Sequence, residues 1–377
     1  METLAVVQTP SLVLDRPRLM ANANRMIQRA HALGVRIRPH LKTLKSIDAA
    51  RLAIDPSHGG IAAATLNEAA YFASHGIRDI QLAVCLPPDK LPQVTEIQRQ
   101  APELSFFLDS VEVARAAAEI GRTTGVPLRA WIEIDCGGNR TGVLPDGPEL
   151  LQIAATLGSH ARLEGVATHA GQSYADLPPG GIADVAEVER VAVVSAADRL
   201  RSAGFVVPGV SAGSTPSTVH ARCATGLTEW RAGVYLAGDL FQAAVGSLAM
   251  DDIAVSVLAT VISHQRRTGQ IVVDAGGLAL SKDRSTASMS GRDGGYGFVT
   301  DVARRPVFGE LHVVEVHQEH GVIRSVSEAQ FAALPIGARV RIIPNHVCMT
   351  AAMYPEYLVT DGDLEITGRW PRTNGWT

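Results

Sequence analysis

The sequence predicts an α/β protein: an eight-stranded (β/α) barrel followed by an antiparallel β domain. Three observations lead to this fold class. Between about residues 35 and 240, eight short apolar runs alternate with stretches of helical spacing. The runs are continuously apolar, which is typical of parallel strands covered by helices. After about residue 245, short runs rich in valine and isoleucine are separated by turns. An open, doubly wound sheet is the alternative to a closed barrel.

The barrel strands are assigned to the apolar runs in chain order. Stretches such as LNEAAYFASHG and VEVARAAAEIGRTTG separate them, and each closes on a glycine suited to a helix C-cap. Asp109-Ser110 precedes the second stretch as a candidate N-cap. The predicted barrel strands are 36–39, 60–65, 79–84, 104–109, 128–135, 163–169, 208–214 and 228–235. The predicted strands of the β domain are 253–261, 270–274, 311–316 and 338–343.

Length and composition indicate a soluble enzyme-sized protein. A chain of 377 residues suits a barrel of about 250 residues with one further domain. A formal charge of −4 gives no basic surface for nucleic acid or anionic membrane, so neither is expected as a partner. We find no signal peptide and no apolar run of membrane-spanning length, and four cysteines do not suggest a disulfide framework. A cytoplasmic protein is therefore expected.

Lys42 is the first candidate for chemistry, because barrel active sites lie at the carboxyl ends of the strands. It follows the predicted strand 36–39 in the segment RPHLKTLK. A lysine that is desolvated near other cations has a lowered pKa and becomes an amine able to form an imine. Lys45 lies further from the strand end, so Lys42 is preferred. A solvated surface lysine is the alternative interpretation.

Two loops after the seventh and eighth strands could hold a phosphate. Gly213-Ser214-Thr215-Pro216 offers backbone N–H groups and hydroxyls to an anion, and Arg231-Ala-Gly233-Val-Tyr235 ends the next strand. Barrel phosphate sites favour these two loops. Each loop alone is also compatible with an ordinary strand-to-helix connection.

Two further residues at strand ends suit a planar cofactor. Arg140 lies in the glycine-rich turn CGGNRTG, and His169 lies in THAG after the sixth predicted strand. The Arg140 guanidinium could lie near a phenolate oxygen of the cofactor. The His169 ring could pack against a pyridine ring or exchange protons with substrate; a histidine buried for structural reasons is the alternative.

His346 and Cys348, in the segment PNHVC, are a candidate metal pair. In an extended chain, side chains at i and i+2 project to the same face. Imidazole and thiolate are donors that Zn²⁺ prefers. Two protein ligands would leave positions for further ligands, water or substrate.

These motifs together resemble those of the D-threonine aldolase/D-serine dehydratase family, which has an alanine-racemase-like fold and binds pyridoxal phosphate (PLP). The resemblance covers nearly the whole chain and is closest to the branch that dehydrates D-threo-3-hydroxyaspartate. It rests on RPHLKTLKS, WIEIDCGGNRTGV, THAGQSY, SAGSTPS, TEWRAGVY, VVDAGGLALSKDR, QEHG and IIPNHVC. It implies a PLP barrel over 11–245, a β domain of 246–377 joined by 1–10, and a homodimer.

The resemblance also implies a role for each candidate residue. Lys42 would be the Schiff-base lysine, and His169 would be a second catalytic residue beside the cofactor ring. The metal would be Zn²⁺, with Mn²⁺ or Mg²⁺ as options. The other cofactor contacts would come from Arg140, Ser214, Thr215, Gly233 and Tyr235, and the metal ligands would be His346 and Cys348.

The expected reaction is the elimination of water from a D-β-hydroxy amino acid, giving a 2-oxo acid and ammonia. Lys42 would remove the α-proton, and the metal would stabilise the departing hydroxide. The alternative is a retro-aldol cleavage to glycine and an aldehyde, in which a base such as His169 would deprotonate the β-hydroxyl. A racemase or a non-catalytic PLP-binding protein would have no need of the metal pair. Arg284 is a candidate cation for a second substrate carboxylate.

Overall fold

The computed structural model describes residues 2–376. The strands are β1 (Ser11–Asp15), β2 (Arg36–Pro39), β3 (Ile61–Ala63), β4 (Ile80–Cys85), β5 (Ser105–Leu108), β6 (Leu128–Glu133), β7 (Ala161–Ala167), β8 (Gly209–Ala212), β9 (Glu229–Ala232), β10 (Val255–Gln265), β11 (Gln270–Val273), β12 (Gly297–Asp301), β13 (Pro306–Val316), β14 (Gly321–Ile323), β15 (Arg339–Pro344), β16 (Glu356–Thr360) and β17 (Ile366–Pro371). The helices are α1 (Arg16–Ala32), α2 (Ile47–Ala53), α3 (Leu66–Ser74), α4 (Leu91–Gln98), α5 (Val111–Thr124), α6 (Pro148–Leu157), α7 (Gly181–Ser202), α8 (Thr215–His220), α9 (Leu240–Ala244), α10 (Gly277–Leu280), α11 (Glu328–Ala333) and α12 (Val347–Ala351).

The predicted barrel is confirmed. Its eight strands pair in the order β2-β9-β8-β7-β6-β5-β4-β3 with parallel registers, and a single bridge between His40 and Ala62 closes the ring. Strands β5, β8 and β9 are buried along their whole length. Because their faces are covered by helices outside and by packed side chains inside, these strands show no alternation of polar and apolar residues.

Helix boundaries in the barrel follow the capping signals of the sequence. The Ser110 hydroxyl accepts a hydrogen bond from the backbone N–H of Val113 at the start of α5, as predicted. Gly125 ends this helix with a φ of 72°, a left-handed conformation that glycine adopts without strain. No helix within residues 2–376 combines the length and the apolar character needed to cross a membrane.

The β domain contains one nine-stranded sheet with the order β11-β14-β13-β12-β15-β10-β1-β16-β17. The four strands predicted for this domain are present as β10, β11, β13 and β15. The sequence patterns did not predict β12, β14, β16 and β17, of which β14 spans only three residues and β17 alternates between partly buried and exposed positions.

The division of the chain differs from the predicted one. One compact unit contains 24–233 and the other contains residues up to 23 together with 234–374, whereas the predicted boundaries were 10/11 and 245/246. The difference arises because β1 is a strand of the β domain, paired with β10 (Leu12 opposite Val257) and with β16. β1 is a five-residue apolar run before α1, and nothing in its sequence pattern indicates which of the two sheets it joins.

Candidate active site and candidate metal centre

The two lysines after β2 have different surroundings. The Lys45 ammonium lies 3.1 Å from a carboxylate oxygen of Glu68, which is almost fully buried, so Lys45 has a structural ion pair. Lys42 lies in the turn directly after β2 and is exposed, and no ion pair of the residues described here involves it. Lys42 is therefore not desolvated as the sequence led us to expect, and its role as the reactive amine stays a prediction.

The tautomer of His169 is set by a backbone carbonyl. Its Nδ1 lies 3.0 Å from the carbonyl oxygen of Gly213, so Nδ1 must carry the proton and Nε2 is left as an acceptor. Burial lowers the pKa of His169 to about 3; the bond to Gly213 opposes the shift, and the charges of Lys42 and Arg231 add to it. His169 is consequently a neutral ring and a weak base near neutral pH.

His40 is a second neutral imidazole in the barrel mouth, the region at the carboxyl ends of the strands. Burial and the nearby charges of Lys42 and Arg231 hold the pKa of His40 well below its usual range. The backbone N–H of Lys42 points at His40 Nδ1 from 3.5 Å. No role was predicted for His40 from the sequence, although its position directly after a strand was a signal.

Arg231 is a buried cation at the end of β9. It is 4% exposed and donates hydrogen bonds to the Ser211 hydroxyl and to the Thr168 carbonyl, both at 2.7 Å. Its guanidinium lies 5.0 Å from the centre of the Phe107 ring. From the sequence, Arg231 was expected only as the start of a phosphate loop, because the pairing of β8 with β9 is not visible in the sequence.

The Gly213-Ser214-Thr215 turn is held by hydrogen bonds within the barrel. Ser214 and Ser217 form a capping box at the start of α8: the Ser217 N–H donates to the Ser214 hydroxyl, and the Ser214 N–H donates to the Ser217 hydroxyl. Glu189, on α7, is fully buried, and its Oε1 accepts the backbone N–H groups of Gly213 at 3.0 Å and of Ala170 at 2.7 Å. One carboxylate thus links the loops after β7 and β8.

Gly233 and Tyr235 lie on opposite sides of the unit boundary. A Cβ on Gly233 would lie 2.3 Å from the carbonyl oxygen of His40, so the approach of β9 to β2 already requires glycine there. Tyr235 lies in a short 3₁₀ turn of the β domain and is 4% exposed. Their proposed contacts with a phosphate remain predictions.

Arg140 lies in an exposed loop that two carboxylates anchor. Asp135 accepts the backbone N–H groups of Gly137 and Asn139, and Asp109 accepts that of Gly142 at 3.0 Å. The charge of Arg140 contributes to the lowered pKa of His169. The structure therefore brings Lys42, Arg140 and His169 into one electrostatic neighbourhood, together with Arg231.

His346 and Cys348 contact each other, but not through the geometry expected from the sequence. His346 is the N-cap of α12 and has an extended backbone, whereas Cys348 lies in the first turn of this helix. The two side chains nevertheless form a hydrogen bond. The prediction of an extended segment fails beyond His346, because only two residues separate the end of β15 from the start of α12.

Carboxylates surround this pair. The Nδ1–H of His346 donates to Asp283 over 2.6 Å, and the buried carboxylate of Asp239 accepts the backbone N–H of Val347 at 2.9 Å. Burial lowers the pKa of His346, but the hydrogen bond and charge of Cys348, with both carboxylates, outweigh burial and raise it to about 10. Negative surroundings of this kind attract a cation.

The donors therefore fit a metal bound by two protein ligands. A histidine that binds a metal usually donates its other ring N–H to a carboxylate, as His346 does to Asp283. No group of three or more His, Cys, Asp or Glu side chains with metal-binding geometry occurs within residues 2–376. Any further metal ligands would have to be groups other than the side chains around His346 and Cys348.

Arg284 already has a carboxylate partner. Its guanidinium forms an ion pair with Asp293 and lies 5.3 Å from the centre of the Tyr296 ring. A substrate carboxylate would have to share this guanidinium with Asp293.

Comparison with protein families defines the class of protein. Residues 14–240 match the model of the alanine racemase N-terminal domain, and residues 254–360 match a putative serine dehydratase domain. The chain belongs to the D-threonine aldolase/D-serine dehydratase family, whose barrel is that of alanine racemase, and its homologues are lyases.

Individual relatives show which members of this family the chain resembles. D-threo-3-hydroxyaspartate dehydratase of Delftia sp. (strain HT23) is 43% identical over 383 residues and covers 100% of both chains. D-serine dehydratase of Dictyostelium discoideum is 29% identical, with 98% of each chain covered. The solved structure of the Delftia enzyme has a TM-score of 0.94 to this chain, at 43% identity and 100% coverage of both chains. A cysteine-to-alanine variant of D-threo-3-hydroxyaspartate dehydratase is described as metal-free.

Proposed function

We propose that this chain is a PLP- and divalent-metal-dependent lyase. It removes water from a D-β-hydroxy amino acid of the D-threo-3-hydroxyaspartate or D-serine type and gives a 2-oxo acid and ammonia. The observation that carries this proposal is the 43% identity to the Delftia dehydratase over the full length of both proteins.

The barrel mouth has the chemistry that PLP requires. Lys42, Arg140 and Arg231 place positive charge around two neutral imidazoles, which suits an anionic aromatic cofactor. The buried Thr218 hydroxyl, beside the Gly213 turn, has no hydrogen-bond partner among the described residues and could donate to a phosphate. When bound, PLP withdraws electrons from the substrate Cα and acidifies its hydrogen.

The roles of the barrel residues follow from their surroundings. Lys42 would hold the cofactor covalently through its amine and, once released, would accept the α-proton. His169, fixed by Gly213, would flank the cofactor ring with one face. Arg140 would contact the ring substituents. Ser214, Thr215, Gly233 and Tyr235 remain the proposed phosphate contacts.

His346 and Cys348 would hold the metal, with Asp283 orienting the imidazole. A thiolate donor favours Zn²⁺ over Mn²⁺ or Mg²⁺, which prefer oxygen ligands. Bound there, the metal would supply Lewis acidity toward a departing hydroxide. A cysteine-to-alanine variant of D-threo-3-hydroxyaspartate dehydratase has been solved in a metal-free form, which agrees with a cysteine ligand in that protein.

The dehydratase is favoured over the aldolase by the weak basicity of His169. Retro-aldol cleavage needs a base for the β-hydroxyl, and a histidine with a pKa of about 3 is a poor one. Dehydration requires no base for the β-hydroxyl, because this group departs as hydroxide and keeps its proton.

Three further expectations belong to the proposal. Arg284 would bind the second carboxylate of hydroxyaspartate by sharing its guanidinium with Asp293, and Arg284→Ala would then reduce the preference for hydroxyaspartate over D-serine. A homodimer is expected from the family. A cytoplasmic location would keep the four free thiols reduced.

The test incubates purified protein with PLP, with Zn²⁺ or Mn²⁺, and with D-serine, D-threonine or D-threo-3-hydroxyaspartate. Release of ammonia and 2-oxo acid is expected, whereas glycine with an aldehyde would establish the aldolase instead. Borohydride reduction should fix PLP to the wild type and to Lys45→Met but not to Lys42→Ala. Labelling of Lys42→Ala to the wild-type extent would contradict the assignment of the amine.

A further inference from the structure

A separate cavity of about 520 Å³ lies within the β domain. All of its lining residues belong to this domain, and none of Lys42, His169, His346 or Cys348 is among them. A volume of this size suits a small organic molecule. Its one link to the proposed reaction is Asp293, the partner of Arg284, which lines the cavity.

One wall of the cavity is a face of the sheet. Phe298 and Thr300 on β12 line it together with Ile343 on β15. Phe298 is paired with Ile343, and Thr300 is paired with Arg341. Because alternate residues of a strand share a face, Arg341 lies on the same face of β15 as Ile343, next to this wall but not among the residues that line the cavity.

Arg341 has an unsatisfied guanidinium nitrogen. The residue is 3% exposed, and its Nε donates to the Ser256 hydroxyl at 2.8 Å. Its Nη2 is buried and has no hydrogen-bond partner among the residues that the structure describes. A buried N–H of a charged group without an acceptor is destabilising, so this cation adds positive charge that the described chain does not fully balance.

Two more arginines lie beside Arg341. Arg18 and Arg304 line the cavity, and the Arg304 guanidinium donates to the Ile253 carbonyl at 2.6 Å. Burial and mutual repulsion lower the pKa of Arg341 to about 9 and that of Arg304 to about 10.

Carboxylates only partly balance this cationic end. Asp15, 3.6 Å from Arg18, and Asp251 are the acids whose charges reach the cluster. Three guanidinium groups against two carboxylates leave about one positive charge in a partly buried place. The cationic end therefore suits one anionic group.

The other end of the cavity carries charges of both signs. Asp293 and Glu310 line it together with Arg292 and His312, and Asp293 already pairs with Arg284. The ring centre of His312 is 5.3 Å from that of Phe298, and Leu240 and Ile343 add apolar surface between the two ends. The excess positive charge therefore lies at the end with Arg18 and Arg304, while the apolar middle favours a hydrocarbon or aromatic body.

We propose that this cavity binds a small organic carboxylate, with the carboxylate group against Arg18 and Arg304 and the apolar body on Phe298. The carboxylate balances the excess charge of the arginine cluster, in which Arg341 is the buried member. The site differs from the barrel mouth that holds Lys42 and from the candidate metal pair.

Calorimetric titration of the holoenzyme tests the proposal, with benzoate as the monoanion and benzamide as its neutral analogue. Benzoate should bind saturably, with a dissociation constant of about 1 mM or lower, and benzamide should bind at least tenfold more weakly. Arg304→Gln should weaken benzoate binding at least tenfold, and Arg304→Lys should restore part of it.

Arg305→Gln is the matched control, because Arg305 is the neighbouring residue, is 77% exposed, pairs with Asp301 and does not line the cavity. It should bind benzoate like the wild type. If Arg304→Gln does not fold, Arg18→Gln replaces it, with the same expectation. The proposal is overturned if benzoate does not bind, if benzamide binds equally well, or if benzoate binding survives the removal of either cavity arginine.

Discussion

Replacement of Glu189 should loosen two loops of the barrel mouth at once. Oε1 of this buried carboxylate accepts the N–H of Ala170, directly after His169, and the N–H of Gly213, whose carbonyl holds the His169 ring. Glu189→Ala would leave both N–H groups buried without an acceptor. At about 1–3 kcal/mol for each group, the barrel should lose about 4 kcal/mol of unfolding free energy.

The conservative variant separates charge from geometry. In Glu189→Gln a carbonyl oxygen can still accept both hydrogen bonds, but the bonds are no longer charge-assisted. We expect a loss of about 2 kcal/mol, because a bond to a charged group contributes about 1 kcal/mol more than a neutral one. Glu187→Gln, on the same helix but half exposed and paired with Arg190, should change stability by less than about 0.5 kcal/mol.

Hydrogen exchange measures this effect at the atoms concerned. The amides of Ala170 and Gly213 should exchange about 30-fold faster in Glu189→Gln, as expected for a local loss of about 2 kcal/mol. PLP affinity should fall with it, since the Gly213 turn is a proposed phosphate contact. Unchanged exchange of both amides in Glu189→Ala, or an equal effect of Glu187→Gln, would refute the reasoning.

Three further predictions concern ionisable groups. The pKa of His169 is about 3 in the fold and about 6.5 in an unfolded chain, so the unfolded chain binds this proton more readily. The unfolding free energy of the PLP-free protein should therefore fall by about 5 kcal/mol between pH 6.5 and pH 3. His169→Gln should remove that part of the pH dependence in denaturant titrations, and an unaltered slope would contradict the assigned pKa. Hydrogen bonds from Ser57 and His31 outweigh burial and lower the pKa of Asp55. The ionised Asp55 therefore stabilises the fold above about pH 3.9, and this stabilisation is lost as the pH falls through the lower pKa of the folded state. The difference in unfolding free energy between the wild type and Asp55→Asn should shrink over that pH range. Asp283→Asn should weaken Zn²⁺ binding about 10–100-fold in a chelator competition, whereas equal affinity would exclude an orienting role.

The barrel was predictable because its signal is local. Each parallel strand is a short apolar run buried on both faces, and each helix between them has its own caps, so the elements can be counted along the chain. The choice of Lys42 over Lys45 stays a prediction; the structure adds that Lys45, further from the strand end, forms an ion pair with Glu68. The β domain was less predictable, because short and half-exposed strands such as β14 and β17 carry little hydrophobic pattern.

The sequence by itself determined the barrel, the position of Lys42 at a strand end, and the proximity of His346 to Cys348. These features depend on residues close together in the chain. Only the tertiary structure decided that β1 belongs to the β domain, that Gly213 fixes the tautomer of His169, and that Asp283 contacts His346. Each of these depends on groups at least 44 residues apart, as for His169 and Gly213, whose approach is set by strand pairing and packing and not by any local pattern.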